Sequence, residues 1–205
     1  MAAELVKEFQ QTYPLAALRL LEMDANSAAK AVSGGKCDLG VGLFMPNEQD
    51  RYLSLAGEMS VACTLLVRVR FKLYMSTKNP LAQQQEITLA QLADTPMFEF
   101  LSAGLEKIVK QPQTAHQISH RLYNRETLKK LISLDYGMAF MPEFMEWQDY
   151  YVQSGLITGR YVSDYPERLN CYLLYSHLSM MSPLEKAFVM ILTRRLEELV
   201  KGEGE

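Results

Sequence analysis

The sequence predicts an α/β protein, and three observations carry the prediction. Stretches with helical spacing of apolar residues alternate along the chain with short apolar runs that read as strands. One stretch, Asn124 to Pro142, compresses that plan into a single unit. It has a helix with Leu128, Leu131 and Ile132 on one face, a turn at Gly137, and a buried strand from Met138 to Met141 stopped by Pro142. Asn26 to Pro46 repeats the plan, with a helix to Ser33, a turn at Gly34-Gly35, a strand from Leu39 to Leu43, and a Phe-Met-Pro ending at 44–46 that recurs at 140–142. Two such units fit matching parts of two similar lobes, and they equally fit the ordinary grammar of any α/β chain. Ligands of open α/β sheets sit beyond the carboxyl ends of the strands, so both Phe-Met-Pro endings are expected near a site between the lobes.

Each element has a local reason. Ala3 to Gln11 puts Leu5, Val6 and Phe9 on one helical face and is closed by Tyr13-Pro14. Leu15 to Met23 reads as a strand with Leu18, Leu20 and Leu21 in its core part, and Asp24 or Asn26 caps the helix after it. Met45 to Tyr52 reads as a polar loop, and Leu53 to Ser76 as strand-rich until Asn79-Pro80 breaks it. Thr88 and Gln91 form a capping box opening a short helix. Met97 to Phe100 reads as a strand, Leu105 to Lys110 as a helix and Gln117 to Tyr123 as a strand. Within the organising unit Asn124 caps, Glu126 complements the helix dipole, Lys129 and Lys130 point outward, and Gly137 takes the left-handed turn conformation. Glu143 to Val152 reads as an aromatic helix carrying Trp147, and Leu169 to Tyr175 as another strand. Ser182, Pro183 and Glu185 make a strong helix start. That helix is expected to bury Leu184, Phe188, Ile191, Leu192, Leu196 and Leu199, before a disordered acidic tail at Gly202 to Glu205.

Composition narrows the function. At 205 residues the chain buries one large core or two modest ones. Its 21 basic and 24 acidic residues are balanced and no basic run exists, which argues against a nucleic-acid surface. Cys37, Cys63 and Cys171 are isolated and read as reduced thiols of a cytosolic protein. Met1 to Pro14 carries Glu4, Lys7 and Glu8 without a long apolar core, and no stretch reaches membrane-span length, so a soluble, cytoplasmic protein without membrane contact is expected.

Catalytic and metal chemistry find no support. His116 and His120 are four apart around a strand, where that spacing does not align ligands, and no third ligand is evident. His177 has no identifiable partner. There is no Gly-x-Ser-x-Gly elbow, phosphate loop or Gly-x-Gly-x-x-Gly after a strand. The expectation is no catalytic residue, no metal and no cofactor.

A set of short segments recurs in a known order. They are Phe9-Gln-Gln-Thr-Tyr-Pro14, Gly35-Lys-Cys-Asp-Leu-Gly-Val41, Asn79-Pro-Leu-Ala82 with Ile87-Thr-Leu-Ala-Gln-Leu-Ala93, Tyr136-Gly-Met-Ala-Phe-Met-Pro142, and Ser182-Pro-Leu-Glu-Lys-Ala-Phe188. Each is weak alone, but together they cover nearly the whole chain, which resembles the effector-binding region of LysR-type transcriptional regulators. The resemblance implies two Rossmann-like lobes joined by two crossing strands, a type 2 periplasmic-binding-protein-like fold with a small metabolite between the lobes. Lobe I would be residues 1–75 plus 172–205, and lobe II residues 76–171. The family's winged helix-turn-helix, linker helix and first strand have no counterpart here, so DNA would be reached only through a part absent from this chain. The interval from Phe44 to Asn79 is also longer than the family's.

Carried over residue by residue, the resemblance places effector contacts at Asp24, Asn26, Ser27 and Met45 in one lobe. In the other they are Phe98, Phe100, Asn124, Arg125, Met141 and Pro142. Amides at a helix start suit a carboxylate and apolar side chains wall a pocket. The bland readings are that Asn26 and Asn124 only cap helices, that Phe98 and Phe100 are core, and that Arg121 and Arg125 are solvated. The resemblance further implies a small effector such as an organic acid, and a homodimer or higher oligomer using the Ala3 to Gln11 helix. A stand-alone solute-binding module, a truncated regulator without DNA binding, and an enzyme on the same scaffold are the alternatives.

Overall fold

The computed structural model describes residues 2–100, 118–147, 149–177 and 180–201. Its helices are α1 (Ala2–Thr12), α2 (Ala25–Ser33), α3 (Pro46–Glu58), α4 (Arg125–Ser133), α5 (Tyr150–Gln153) and α6 (Pro183–Lys201). Its strands are β1 (Leu39–Phe44), β2 (Val61–Ser76), β3 (Met97–Phe100), β4 (Ile118–Leu122), β5 (Ala139–Pro142), β6 (Ile157–Arg160) and β7 (Arg168–Ser176). They form two compact units, unit 1 of Met1–Val69 with Leu169–Glu205 and unit 2 of Arg70–Arg168. The chain therefore enters unit 2 along β2 and leaves it at the start of β7.

In unit 1, β1 pairs antiparallel with β7, from Leu39↔Tyr175 to Phe44↔Asn170, and β2 follows β7 in the sheet order. Alternation along β7 sorts its side chains between two layers. Tyr172 and Leu174 pack with Ala28, Ala29 and Val32 of α2, Tyr52 and Ala56 of α3, Phe44 and Val61. Cys171 and Leu173 face the other way, onto Leu5 of α1 and Leu192 and Leu196 of α6. Each large apolar side chain so buried contributes about 1.5–3 kcal/mol. Phe9 meets Phe188 edge-on at 5.2 Å, and Glu8 pairs with Arg194 and Arg195. The box at Ser182 forms in both directions, the Ser182 amide to Glu185 at 2.5 Å and the Glu185 amide to Ser182 Oγ at 3.2 Å.

Three expectations for unit 1 are corrected. Leu15 to Met23 is not a strand: it has no ladder partner among the described residues, and Leu15, Leu20, Leu21 and Met23 are exposed. Apolar residues and β propensity do not make a strand without a neighbour to satisfy the backbone. Met45 to Tyr52 is not a loop, nor is Leu53 the start of strand, because α3 occupies Pro46–Glu58. Pro46 fits its first position, Glu48 lies in its first turn, and Tyr52 and Ala56, four apart, are its buried stripe. The long interval between Phe44 and Asn79 is thus filled by α3 and the 16-residue β2. Finally, Leu184 is exposed rather than core, lying before the turn of α6 that meets α1.

In unit 2 the second half of β2 pairs antiparallel with β5 on one edge, Phe71↔Pro142 to Tyr74↔Ala139, and with β6 on the other, Leu73↔Arg160 to Ser76↔Ile157. β3 pairs parallel with β4, and a bridge between Met97 and Met138 joins β3 to the approach of β5. Leu73 and Met75 point into a core with Ile87, Leu92, Met97, Met138 and Val162. Tyr74, between them, points into a second core with Phe98, Leu128, Ile132, Ala139, Met141 and Ile157. The Thr88–Gln91 box forms, but it opens a 3-10 turn, Leu89–Leu92, rather than an α-helix.

Here too the structure corrects local readings. The left-handed residue after α4 is Asp135, φ 61°, and not Gly137. Gly137 is instead needed for space: a Cβ there would lie 2.6 Å from the Pro96 carbonyl oxygen and 2.8 Å from the Phe98 ring. Lys129 does not point outward. It is buried and bonds Asp149 at 2.6 Å and Glu126 at 2.5 Å. Burial works to lower its pKa, but the two carboxylates outweigh that and hold it above the usual lysine value. Glu143 to Val152 is not one helix but a 3-10 turn, Glu143–Glu146, and the short α5. The expected helix Leu105 to Lys110, His116 and the tail Gly202 to Glu205 lie outside the described residues.

Candidate functional site

In unit 2 the predicted residues divide between surface and core. Asn124 caps α4, its side-chain oxygen accepting the Thr127 amide at 3.0 Å. Arg125 opens the helix and places its guanidinium 5.0 Å from the centroid of the Phe100 ring. Arg125 is exposed and makes no ion pair among the described residues. Its neighbour Arg121 is different, bonded to Glu99 at 2.9 Å. Asn124, Arg125 and half-buried Phe100 therefore form one surface, a cation over an aromatic ring at a helix start.

Phe98 and Met141, by contrast, are buried in the core beneath α4, and Phe98 meets His120 edge-on at 5.5 Å. Period-two alternation puts Phe98 and Phe100 on the same face of β3, where Phe98 is buried in that core and Phe100, at the end of the strand, is half-buried against it. Pro142 is half-buried and its carbonyl accepts Tyr74 OH at 3.2 Å.

A charged network just past β5 was not anticipated. Glu143, only 5 % exposed, accepts the Arg70 backbone amide at 2.8 Å and Arg70 Nε at 3.1 Å. Tyr161 OH donates to the same carboxylate at 2.5 Å and accepts from Arg70 Nη2 at 2.6 Å. Arg70 also lies over the Tyr161 ring at 4.0 Å, and Lys72, bonded to Glu146 at 2.6 Å, lies 4.8 Å from the same ring. Two cations and two carboxylates cancel, so the network anchors β2 where it enters unit 2. No signal in sequence could have joined residues so far apart, beyond the alternation of Arg70 with Lys72.

In unit 1 Asp24, not Asn26, caps α2. Its carboxylate accepts the Ser27 amide at 2.9 Å and the Ser27 hydroxyl at 2.5 Å, bonds that hold the Asp24 pKa below the usual 3.8. Asn26 is exposed beside it. Tyr52 OH bonds the Ala25 carbonyl at 2.8 Å and so ties α3 to the start of α2. An anion already sits at this helix start, which leaves it unsuited to a second. Met45 is 3 % exposed and precedes α3 without a side-chain cap. Asn170 and Gln49, bonded at 2.6 Å, lie beside that first turn and were missed from sequence.

No helix among the described residues is long and apolar enough to cross a membrane, and no group of metal-ligating side chains occurs among them. The LysR substrate binding domain profile matches residues 1–197. No curated protein matches in sequence. Among solved structures, the effector binding domain of QuiR in complex with shikimate is similar at 19 % identity, TM-score 0.66, over 97 % of this chain and 91 % of that one. The BenM effector binding domain with its effector benzoate has 16 % identity and TM-score 0.67, over 99 % and 88 %. HinK, a LysR family regulator from Pseudomonas aeruginosa, has 13 % identity and TM-score 0.70, over 95 % of this chain and 65 % of that one. These likenesses carry the fold, the type 2 periplasmic-binding-protein-like architecture of effector-binding domains.

Proposed function

The chain belongs to the LysR substrate binding domain family, and from that membership we propose that it senses a small organic acid through the α4 surface of unit 2. The observation that supports this reading is Arg125, an exposed cation held over Phe100 at a helix start and not paired with a carboxylate among the described residues. A ligand carboxylate gains from the guanidinium and from the positive end of the helix, while the ring offers an apolar floor. QuiR and BenM were solved with shikimate and benzoate, two carboxylic acids, which gives the probes. Asn124 orients the helix start, and Phe98 and Met141 support it from below. Asp24 and Ser27, satisfied by each other, keep α2 in place. The family is one of effector-binding domains, and no catalytic step enters the proposal.

We further infer that the sensed acid acts on transcription through an assembly, a homodimer or higher oligomer using α1, with DNA contacted by a separate winged helix-turn-helix. The test of the sensing site is a thermal melt with each acid. At about 100 times its dissociation constant a ligand adds about 2.7 kcal/mol of apparent stability. Arg125→Gln, at an exposed position, should leave the unliganded melt unchanged and abolish the ligand-induced rise. A rise that persists in Arg125→Gln would reject Arg125 as the anion contact.

A further inference from the structure

At the end of unit 1 where β1 begins and β7 closes, with Leu39 standing opposite Tyr175, the surface folds into a recess of about 160 Å³. Four pieces of unit 1 build it: the last turn of α2, the turn through Gly35, the end of β7, and the entry to α6 with its first turn. Val32, 2 % exposed, and half-buried Met181 and Tyr175 give it apolar walls. Gly35 lines it with φ at 67°, and a Cβ there would meet nothing within 4 Å, so the recess is open on that side. Its volume equals that of about five waters at roughly 30 Å³ each, which limits a ligand to a handful of heavy atoms.

Charge decides what the recess suits. Asp38 and Glu185 both line it, and no basic side chain among the described residues does. Lys36 and Lys186, next in sequence to lining residues, are exposed outside it. Val32 and Ser33 belong to the last turn of α2, the negative end of that helix dipole. The positive end of α6 is already met by Glu185, whose Oε2 accepts the Ser182 amide at 2.5 Å. Its Oε1 has no hydrogen-bond partner among the described residues, and neither does the Asp38 carboxylate. Ser33 donates its hydroxyl to the Met59 carbonyl at 2.7 Å, so its oxygen remains an acceptor. No three metal-ligating side chains converge among the described residues, so a metal ion is not indicated. Carboxylates and an acceptor beside an apolar wall are complementary to an ammonium group on a short alkyl stem.

We propose that this recess is a further small-molecule site, contained in unit 1, that binds a short primary alkylammonium ion, the nitrogen held by Asp38 and Glu185 and the stem lying on Val32 and Met181. The site is independent of the Arg125 surface of unit 2. The probe is n-butylammonium, with n-butanol as its neutral counterpart and butyrate as the anion. Each is titrated at constant ionic strength into the full chain carrying isotope-labelled methionine methyl groups, observed by NMR. The Met181 signal is assigned by its loss in Met181→Leu, and Met190, 72 % exposed, reports association with the surface in general. Met181 should shift saturably with butylammonium while Met190 does not move, and butanol and butyrate should bind about tenfold more weakly or not at all. Asp38→Asn, at an exposed position, should leave the melt unchanged and weaken butylammonium about fivefold. Glu185→Gln keeps an acceptor for the Ser182 amide and, added to Asp38→Asn, should weaken it further. No saturable shift at Met181, equal binding of butylammonium and butanol, equal shifts at Met181 and Met190, or full affinity in the double variant overturns the inference. Arg125→Gln should leave this titration unchanged, so its failure and that of the organic-acid reading are read separately.

Discussion

Ala28, Ala29 and Val32 on α2 and Leu128, Lys129 and Ile132 on α4 occupy corresponding turns of two nine-residue helices, and all six are buried. Both helices open on a side-chain cap, Asp24 or Asn124, and both are followed within a few residues by a left-handed position, Gly35 or Asp135. From there the two units part. Phe44 ends β1, and Met45-Pro46 begins α3, whereas Phe140, Met141 and Pro142 all lie within β5. β1 has one strand neighbour, β7, among the described residues, while β5 pairs with β2 and its approach bridges to β3. Helix α2 presents alanines to a shelf of aromatic rings, and α4 presents large aliphatic groups and one lysine. The same local grammar thus ends in a different neighbourhood, and the neighbourhood sets the size and charge of what each helix can bury.

The sharpest contrast is in core volume. Ile132→Ala removes a fully buried side chain and should cost about 2–5 kcal/mol in urea unfolding. Val32→Ala, which deletes less, should cost roughly 2 kcal/mol; equal losses would mean that α2 is the more tightly packed helix. Lys129→Met comes next. It leaves the Asp149 carboxylate, 8 % exposed, without its cation and should cost about 3 kcal/mol near neutral pH. Because the folded-state pKa of Lys129 is raised above 10.5, its contribution is complete below that value and is lost as pH rises through the folded pKa. The gap between the two proteins should therefore close in strong alkali, and a constant gap would deny the ion pair its role.

Space at the turns separates the units again. Gly137→Ala forces a methyl against the Pro96 carbonyl and should cost about 1–3 kcal/mol. Gly34→Ala meets only the Lys30 carbonyl at 3.2 Å and should cost less; a reversed order in thermal melts would break the assignment of Gly137 to close packing. The smallest effect is at the caps. Asp24→Ala and Asn124→Ala should each cost about 1 kcal/mol at neutral pH. Only the first is pH-dependent: the depressed Asp24 pKa makes its contribution present above 3.8 and lost as pH falls through the folded value. Stability curves run from pH 7 to pH 2 should converge for Asp24→Ala and stay parallel for Asn124→Ala.

What was legible from residues alone was whatever depends on the nearest few residues. The buried stripe of α4, the Asn124 cap, the Ser182 box and the α1 face of Leu5 and Phe9 all rest on contacts within about one helical turn, where spacing and side-chain chemistry suffice. The resemblance to the LysR effector-binding region likewise rests on short ordered segments; it named Asn124, Arg125 and Phe100 among its candidates, and only the structure brings Arg125 over Phe100. Leu15 to Met23 misled because strand character needs a partner that the segment itself does not encode. Helix α3 was hidden because its first two turns carry Glu48, Gln49, Asp50 and Arg51 in a row, and polarity was read as loop.

Distant pairings were decided by the fold. Lys129 looks solvent-facing until α5 brings Asp149 beneath it, 20 positions on. Glu143 means little until β2 delivers the Arg70 amide, and Asn170 means little until α3 delivers Gln49, 121 positions away. Helix faces, caps and turn residues follow from local sterics and hydrogen bonding, so the chain specifies them as written. Which charge is buried, which amide is paired and which apolar segment lacks a neighbour depend on long-range pairing, because burial and desolvation belong to the assembled structure and not to any stretch of it.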